Sequence, residues 1–334
     1  MKKNPDSTDF STAVTANFKR RIFLLVDGHA VIYRAFYGFP GLTNSAGQLA
    51  NAVYGFSRIL LTAIREFEPE YLAVTFDNRA PTFRHDHFEP YKANRSEMPD
   101  ELKPQIEMVK QVVTALNIPQ FEVPGFEADD LIGTISRLLD APAMRRPSLE
   151  TANLTTVIVT GDRDTFQLVD DNTHVWLPAR TKNQVAVEYD ATTVTAKMGV
   201  PPTQIIDLKA LMGDASDNIP GVKGIGPKTA TTLIRQFGSV ENLYAALASS
   251  TSETQKLSSS LITKLLTDKD QAFLSRSLAT IDCQVPLDFS LPACRVSDYD
   301  KSAIITLFND WGFKSLIGSL PADEFETSVQ AALF

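Results

Sequence analysis

The sequence predicts an α/β fold with a central, mostly parallel sheet flanked by helices, followed by a helical C-terminal region. Three observations carry this expectation. Short continuous apolar runs recur in the first half of the chain, a carboxylate closely follows each run, and amphipathic helical stretches lie between them. Continuous runs rich in β-formers mark strands buried on both faces of a parallel sheet, where helices cover each side.

Taken in order, residues 1–20 are polar without sustained periodicity and are expected to form a disordered leader. They lack the apolar segment of a secretory signal. Residues 22–26, IFLLV, form the first expected strand and deliver Asp27. A helical pattern at 52–66 precedes the second strand, 71–76 (YLAVTF), which delivers Asp77. Residues 78–95, NRAPTFRHDHFEPYKANR, mix basic, aromatic and proline residues and read as a surface excursion; His85 and His87 there are structural or DNA-facing rather than metal ligands. A second helical pattern spans 104–116. GFEADD then places Glu127, Asp129 and Asp130 at a helix start, where the helix dipole favours negative charge. The third strand, 156–160 (TVIVT), leads into GDRD with Asp162 and Asp164. Stretches 140–155 and 249–260 read as loops or linkers. In open α/β sheets, functional groups gather outside the carboxyl ends of strands, so three strands delivering acids point to one shared site. The plainer reading, an Asp that caps the next helix or starts a turn, fits any one of them.

A chain of 334 residues suits about two domains. The composition, 43% hydrophobic and 22% charged, supports a sizeable core and excludes low-complexity or collagen-like classes. Two cysteines, Cys283 and Cys294, are too few for a disulfide scaffold or a cysteine zinc site and fit a reducing, cytoplasmic setting. The apolar runs are too short to span a bilayer, so no membrane role is expected. The formal charge of −8, taken whole, argues against nucleic acid. Its distribution argues otherwise. GDASD at 213–217 adds Asp214 and Asp217, so nine acids fall in five segments, and setting their charges aside leaves a formal +1. If they converge, each like-charge pair near 4 Å costs ~4 kcal/mol at an effective dielectric of 20, so cations are required. Hard oxygen ligands select Mg²⁺ or Mn²⁺. Directly afterwards, GVKGIGPKTA at 221–230 has Gly224 and Gly226 for a tight turn that can approach a phosphate, with Lys228 opening a helix.

These strings, in order VDGHAVIYRAFYG, VTFD, TFRHDHFEPYKANR, GFEADD, TGDRD, LKALMGDASDNIPGVKGIGPKTA, LSRSLATI and WGFKSL, resemble the 5′ nuclease family of bacterial DNA polymerase I, within the flap endonuclease superfamily. The resemblance covers roughly residues 21–320. It implies a PIN-like 5′ nuclease fold at 21–200 with a helical arch at about 81–104, a helix-hairpin-helix DNA-binding domain at 201–320, and a tail at 321–334. It implies that Asp27, Asp77, Glu127, Asp129, Asp130, Asp162, Asp164, Asp214 and Asp217 hold two or more Mg²⁺ or Mn²⁺ ions for phosphodiester hydrolysis. Lys92 and Arg95 would touch the scissile phosphate, Tyr91 would stack on a base, and Arg34 and Arg84 would contact phosphates. Gly221, Val222, Gly224, Gly226, Lys228 and Thr229 would hold the duplex, with a K⁺ ion on hairpin carbonyls. The implied activity is 5′–3′ exonuclease and flap cleavage at DNA junctions, RNA-primed ones included, by a monomer working beside a DNA polymerase in Okazaki primer removal and repair. An RNA-preferring 5′ nuclease and a non-catalytic junction-binding module are the alternatives. The final QAALF (Gln330, Leu333, Phe334) resembles a sliding-clamp docking peptide.

Overall fold

Strand β1 (Arg21–Asp27) alternates its side chains between two cores, and the other elements are arranged around it. The computed structural model describes residues 20–39, 41–140, 153–179 and 184–323. Phe23 and Leu25 enter one core; Ile22, Leu24 and Val26 enter the other, as the period of two requires. Beyond β1 come α1 (Gly28–Gly38), α2 (Asn51–Phe67), β2 (Tyr71–Thr75), the short α3 (Phe83–His87), α4 (Lys103–Ala115), β3 (Gln120–Phe121), α5 (Ala128–Asp140), β4 (Leu154–Val159), β5 (Thr173–Leu177) and β6 (Val187–Tyr189). The sheet order is β3-β2-β1-β4-β5-β6, parallel except for the last pair. This is the fold class the sequence predicts. β5 and β6 were not foreseen, because THVWL and VEY are too short and too polar to read as buried runs.

The remaining helices are α6 (Ala191–Met198), α7 (Ile205–Met212), α8 (Pro227–Phe237), α9 (Val240–Ala248), α10 (Ser259–Thr267), α11 (Lys269–Ala279), α12 (Lys301–Asp310) and α13 (Lys314–Ile317). On the Ile22 face, Phe56 of α2, Val109 of α4 and Phe308 of α12 close one core. On the Phe23 face, Ile132 of α5 meets Leu208, Leu233 and Leu243 from α7, α8 and α9, so one apolar cluster runs without a break from the sheet into the helical part. Among the described residues no helix is long and apolar enough to cross a membrane.

The segment after β2 differs from expectation. Residues 81–102 hold one five-residue helix followed by turns rather than a mainly helical arch; more than half of them are exposed, as a surface excursion requires, while Arg84 and Tyr91 anchor the segment inside. Tyr91 is buried against Ile219, Leu278 and Ala279. Three hydrogen bonds tie the segment to the acidic GDASD stretch and its neighbour: Lys92 N to Asp217 O (2.9 Å), Asn94 Nδ2 to Ala215 O (2.7 Å) and Asn218 Nδ2 to Pro90 O (2.7 Å).

Where α7 hands over to the hairpin, two backbones pass too closely for a side chain. Gly221 has φ +63°, its N–H donates to Ser275 Oγ (3.0 Å), and an added Cβ would lie 2.2 Å from Gly213 N. Gly221→Ala is therefore expected to destabilise the protein by at least the ~1–3 kcal/mol of a strained left-handed residue. Denaturant unfolding measures it, and an unchanged midpoint would contradict this packing.

Candidate active site

A carboxylate sits at or just past the ends of β1, β2 and β4, each hydrogen-bonded to the start of a helix or turn. Asp27 accepts Ala30 N–H of α1 (3.0 Å) and the Thr160 hydroxyl beyond β4 (2.7 Å). Asp77, after β2, accepts Ala128 N–H at the start of α5 (2.7 Å). Asp162, after β4, accepts the Asp164 N–H (2.9 Å) that opens a short 3₁₀ turn at Asp164–Leu168. The local and the shared-site roles therefore coincide: Asp27 caps α1, Asp77 accepts the first N–H of α5 and Asp162 closes a turn, and all three wall one cleft.

That cleft, about 840 Å³, opens at the carboxyl edge where the strand order reverses between β1 and β4. Asp27, Asp77, Glu127, Asp129, Asp162, Asp164 and Asp214 line it, as do Arg34, Lys92 and Arg95. Lys209, Arg163, Tyr33 and His29 also line it and were not singled out from the sequence. Lys209 had a signal: it is the one cation in the otherwise apolar and acidic string IIDLKALM, and a lysine on a buried helix needs an acid. Burial holds the His29 imidazole below its ordinary range, so its Nδ1 accepts the Asp77 N–H (2.9 Å).

Burial, together with the neighbouring carboxylates, raises the proton affinity of three of these acids. Burial first, then the nearby Asp77, pushes the Asp27 carboxyl up to about 7. Burial and then Asp162 push Asp164 up to about 7 as well. Asp129 is raised well above the carboxylate range by burial and by Asp27, Asp162 and Asp164. Cationic side chains offset the rest. The Lys209 ammonium donates to Asp164 and to Asp214 Oδ2 (2.5 Å); burial opposes its charge, but those two acids hold it well above the ordinary lysine range. Lys92, in a left-handed backbone at φ +56°, places its ammonium 2.7 Å from Glu127 Oε1. Arg95 Nη2 lies 2.5 Å from Asp217 Oδ1.

Several residues sit where the sequence reading did not put them. Asp130 is fully buried outside the cleft, because one residue along a helix from Asp129 turns it to the other face; there it accepts both terminal nitrogens of Arg84 at 2.9 and 2.7 Å. Arg84, expected on a phosphate, is 2% exposed and spends its other donors on Leu278 O (3.1 Å) and Thr280 O (2.8 Å). Tyr91, expected to stack on a base, is 3% exposed, with its hydroxyl 3.2 Å from both Glu127 Oε2 and Asp217 Oδ2. Asp217 is buried beneath the cleft wall rather than lining it. In the hairpin, Gly224, Gly226 and Lys228 are exposed and Thr229 is half-buried, while Gly221 is buried and Val222 is an inward core residue whose N–H donates to Leu211 O (2.8 Å). Gln330, Leu333 and Phe334 lie outside the described residues.

Among the described residues no three His, Cys, Asp or Glu side chains form a ready-made metal cage. The lysines and arginines just described lie between them. A cation still fits the donor set, for Asp129 Oδ1 is buried without a hydrogen-bond partner and points to a missing positive group.

Comparison with known proteins agrees with this geometry. Residues 22–199 match the 5′–3′ exonuclease N-terminal resolvase-like domain, and residues 200–302 match the 5′–3′ exonuclease C-terminal SAM fold. The chain is 43% identical over 309 residues to DNA polymerase I of Chloroflexus aurantiacus, covering 90% of this chain and 31% of that protein. It is 41% identical over 303 residues to DNA polymerase I of Caldicellulosiruptor bescii, covering 90% and 34%. The chain thus spans about a third of the length of these relatives. Its fold matches the 5′-exonuclease of bacteriophage T5, solved with zinc bound, at a TM-score of 0.62 and 22% identity over 90% of this chain and all of the other.

The buried Arg84–Asp130 pair fixes the start of α5 and with it Glu127 and Asp129. Removing one partner strands a buried charge, so Arg84→Met is expected to cost ~3–5 kcal/mol in denaturant unfolding. A loss below ~1 kcal/mol would contradict a buried pair.

Proposed function

The chain belongs to the 5′–3′ exonuclease family, and from that premise we propose that it is a structure-specific, metal-dependent 5′ nuclease cutting DNA phosphodiesters near 5′ flaps and nicks. One observation carries the reading: seven acids wall a single cleft at the strand-order reversal, with Lys92 and Arg95 beside them. Such a cleft repels a phosphate unless cations fill it. Asp27, Asp77, Glu127, Asp129, Asp162, Asp164 and Asp214 would hold two or more Mg²⁺ or Mn²⁺ ions. Bound ions supply Lewis acidity that activates water and steadies a leaving oxygen.

The chain's own groups do the rest. Lys92 and Arg95 offer positive charge on the cleft wall to oxygens that gain charge in the transition state. Tyr91 and Asp217 set the direction of Glu127 and of these two cations from below. Arg34, beside Gly161, adds a further cation to the cleft lining.

The hairpin supplies the duplex contact. α8 begins at Gly226 and Pro227 without a side-chain cap, so its first N–H groups are open to a phosphate, with exposed Lys228 alongside. The carbonyls of Gly221 and Val222 each accept one hydrogen bond, from Gln271 and Ile225, and keep a second lone pair for a K⁺ ion. Together, cleft and hairpin read the junction by shape rather than sequence. Primer removal and repair beside a DNA polymerase is the proposed setting, and QAALF the proposed clamp-docking peptide.

A labelled 5′-flap duplex tests the activity. Cleavage near the junction with Mg²⁺ and none with EDTA is expected; metal-independent or absent cleavage would contradict it, and cutting of RNA flaps alone would favour the RNA-preferring reading. Single-turnover rates and binding isotherms separate the two regions. Lys92→Ala should lower the rate far more than affinity, whereas Lys228→Ala should weaken binding and flatten its salt dependence. An unchanged single-turnover rate in Lys92→Ala would overturn the role given to Lys92.

A further inference from the structure

Lys209 bridges two acid-bearing parts of the cleft that come from different regions of the chain. It lies on α7, is 4% exposed, and donates to Asp164 at the start of the 3₁₀ turn and to Asp214 just past the end of α7. Two carboxylates thus share one ammonium. The Asp214 side chain is further held by Ser216, whose N–H lies 2.9 Å and hydroxyl 2.5 Å from Oδ1, so Oδ2 is the oxygen turned to the lysine. The unpartnered buried oxygen of the cleft belongs to Asp129, not to this pair. The supply of positive charge in the site is therefore uneven: Asp164 and Asp214 share an ammonium, whereas Asp129 Oδ1 has no hydrogen-bond partner.

We propose that Lys209 is a built-in counter-ion of the Asp164–Asp214 pair that competes with a divalent cation there, keeping that part of the cleft at weaker ion affinity than its acids alone would give. The inference rests on the reading of the cleft acids as ion ligands. A divalent ion that ligates Asp164 and Asp214 must displace the ammonium from between them, and the lysine's charge opposes it while it approaches. Lys209 acts through these acids and is a positioning residue rather than a catalytic one.

Mn²⁺ titration calorimetry of the whole chain without DNA, on the wild type, Lys209→Met and Lys209→Arg, tests it. Lys209→Met is expected to bind Mn²⁺ about ten-fold or more tightly at its weaker class of site, since one opposing charge is gone. Lys209→Arg keeps the charge and should stay near the wild type. Lys209→Met should also melt at a lower temperature without ions and recover when Mn²⁺ saturates it. A purely structural lysine would give the lower melting temperature with unchanged or weaker Mn²⁺ binding, which would overturn the inference. If Lys209→Met does not fold without ions, recovery of its helical circular dichroism on Mn²⁺ addition supports competition, and no recovery at any Mn²⁺ concentration overturns it. Equal affinity in the wild type and Lys209→Met sinks the role of Lys209 alone. Absence of Mn²⁺ binding in all three variants sinks the ion-ligand reading and this inference with it.

Discussion

The structure depends on one electrostatic problem: many carboxylates confined to one edge of a sheet. At an effective dielectric of 20, a pair of like charges near 4 Å costs ~4 kcal/mol, which is comparable with much of a domain's net stability. The protein meets this cost in three ways. Backbone and hydroxyl donors take up Asp27, Asp77 and Asp162. Lys209, Lys92 and Arg95, three cations, pair with four acids: Asp164, Asp214, Glu127 and Asp217. What is left appears as proton affinity, with Asp27 and Asp164 pushed up to about 7. The same imbalance that burdens the fold is what the proposed cations would relieve.

The rest of the molecule keeps these groups from relaxing apart. β1, with side chains in both cores, fixes Asp27 at the centre of the edge. The Arg84–Asp130 pair joins the segment after β2 to the start of α5, and the carbonyls of Leu278 and Thr280 join both to the end of α11. Tyr91 then links Glu127, just before α5, to Asp217 before the hairpin. Cleft and hairpin are thus connected through packed, hydrogen-bonded groups rather than through a flexible linker, which fits the proposed cutting near a duplex junction.

Most of the cleft was legible from the sequence, and the physical reason is local. IFLLV, YLAVTF and TVIVT are continuous apolar runs, so strands and the acids at their ends announce themselves. Residues whose role depends on a distant partner did not. Arg84 sits in a basic, solvent-like string, and its partner Asp130 lies 46 positions away, so only the fold reveals that both are buried. Adjacent Asp129 and Asp130 look equivalent in a string, yet ~100° of helical rotation separates a cleft acid from a core one. Tyr91 and Val222 were assigned by their neighbours' chemistry, whereas their own apolar bulk placed them inside. Lys209 was not singled out, because one of the two acids it serves, Asp164, lies 45 positions away and meets it only in the fold.

The central claim is that the seven cleft acids are held together to bind divalent cations, and anomalous scattering from crystals soaked in Mn²⁺ tests it most directly. Manganese peaks within the cleft, one of them against Asp129 Oδ1, are the predicted result. Ordered manganese elsewhere on the protein with none in the cleft would contradict the account.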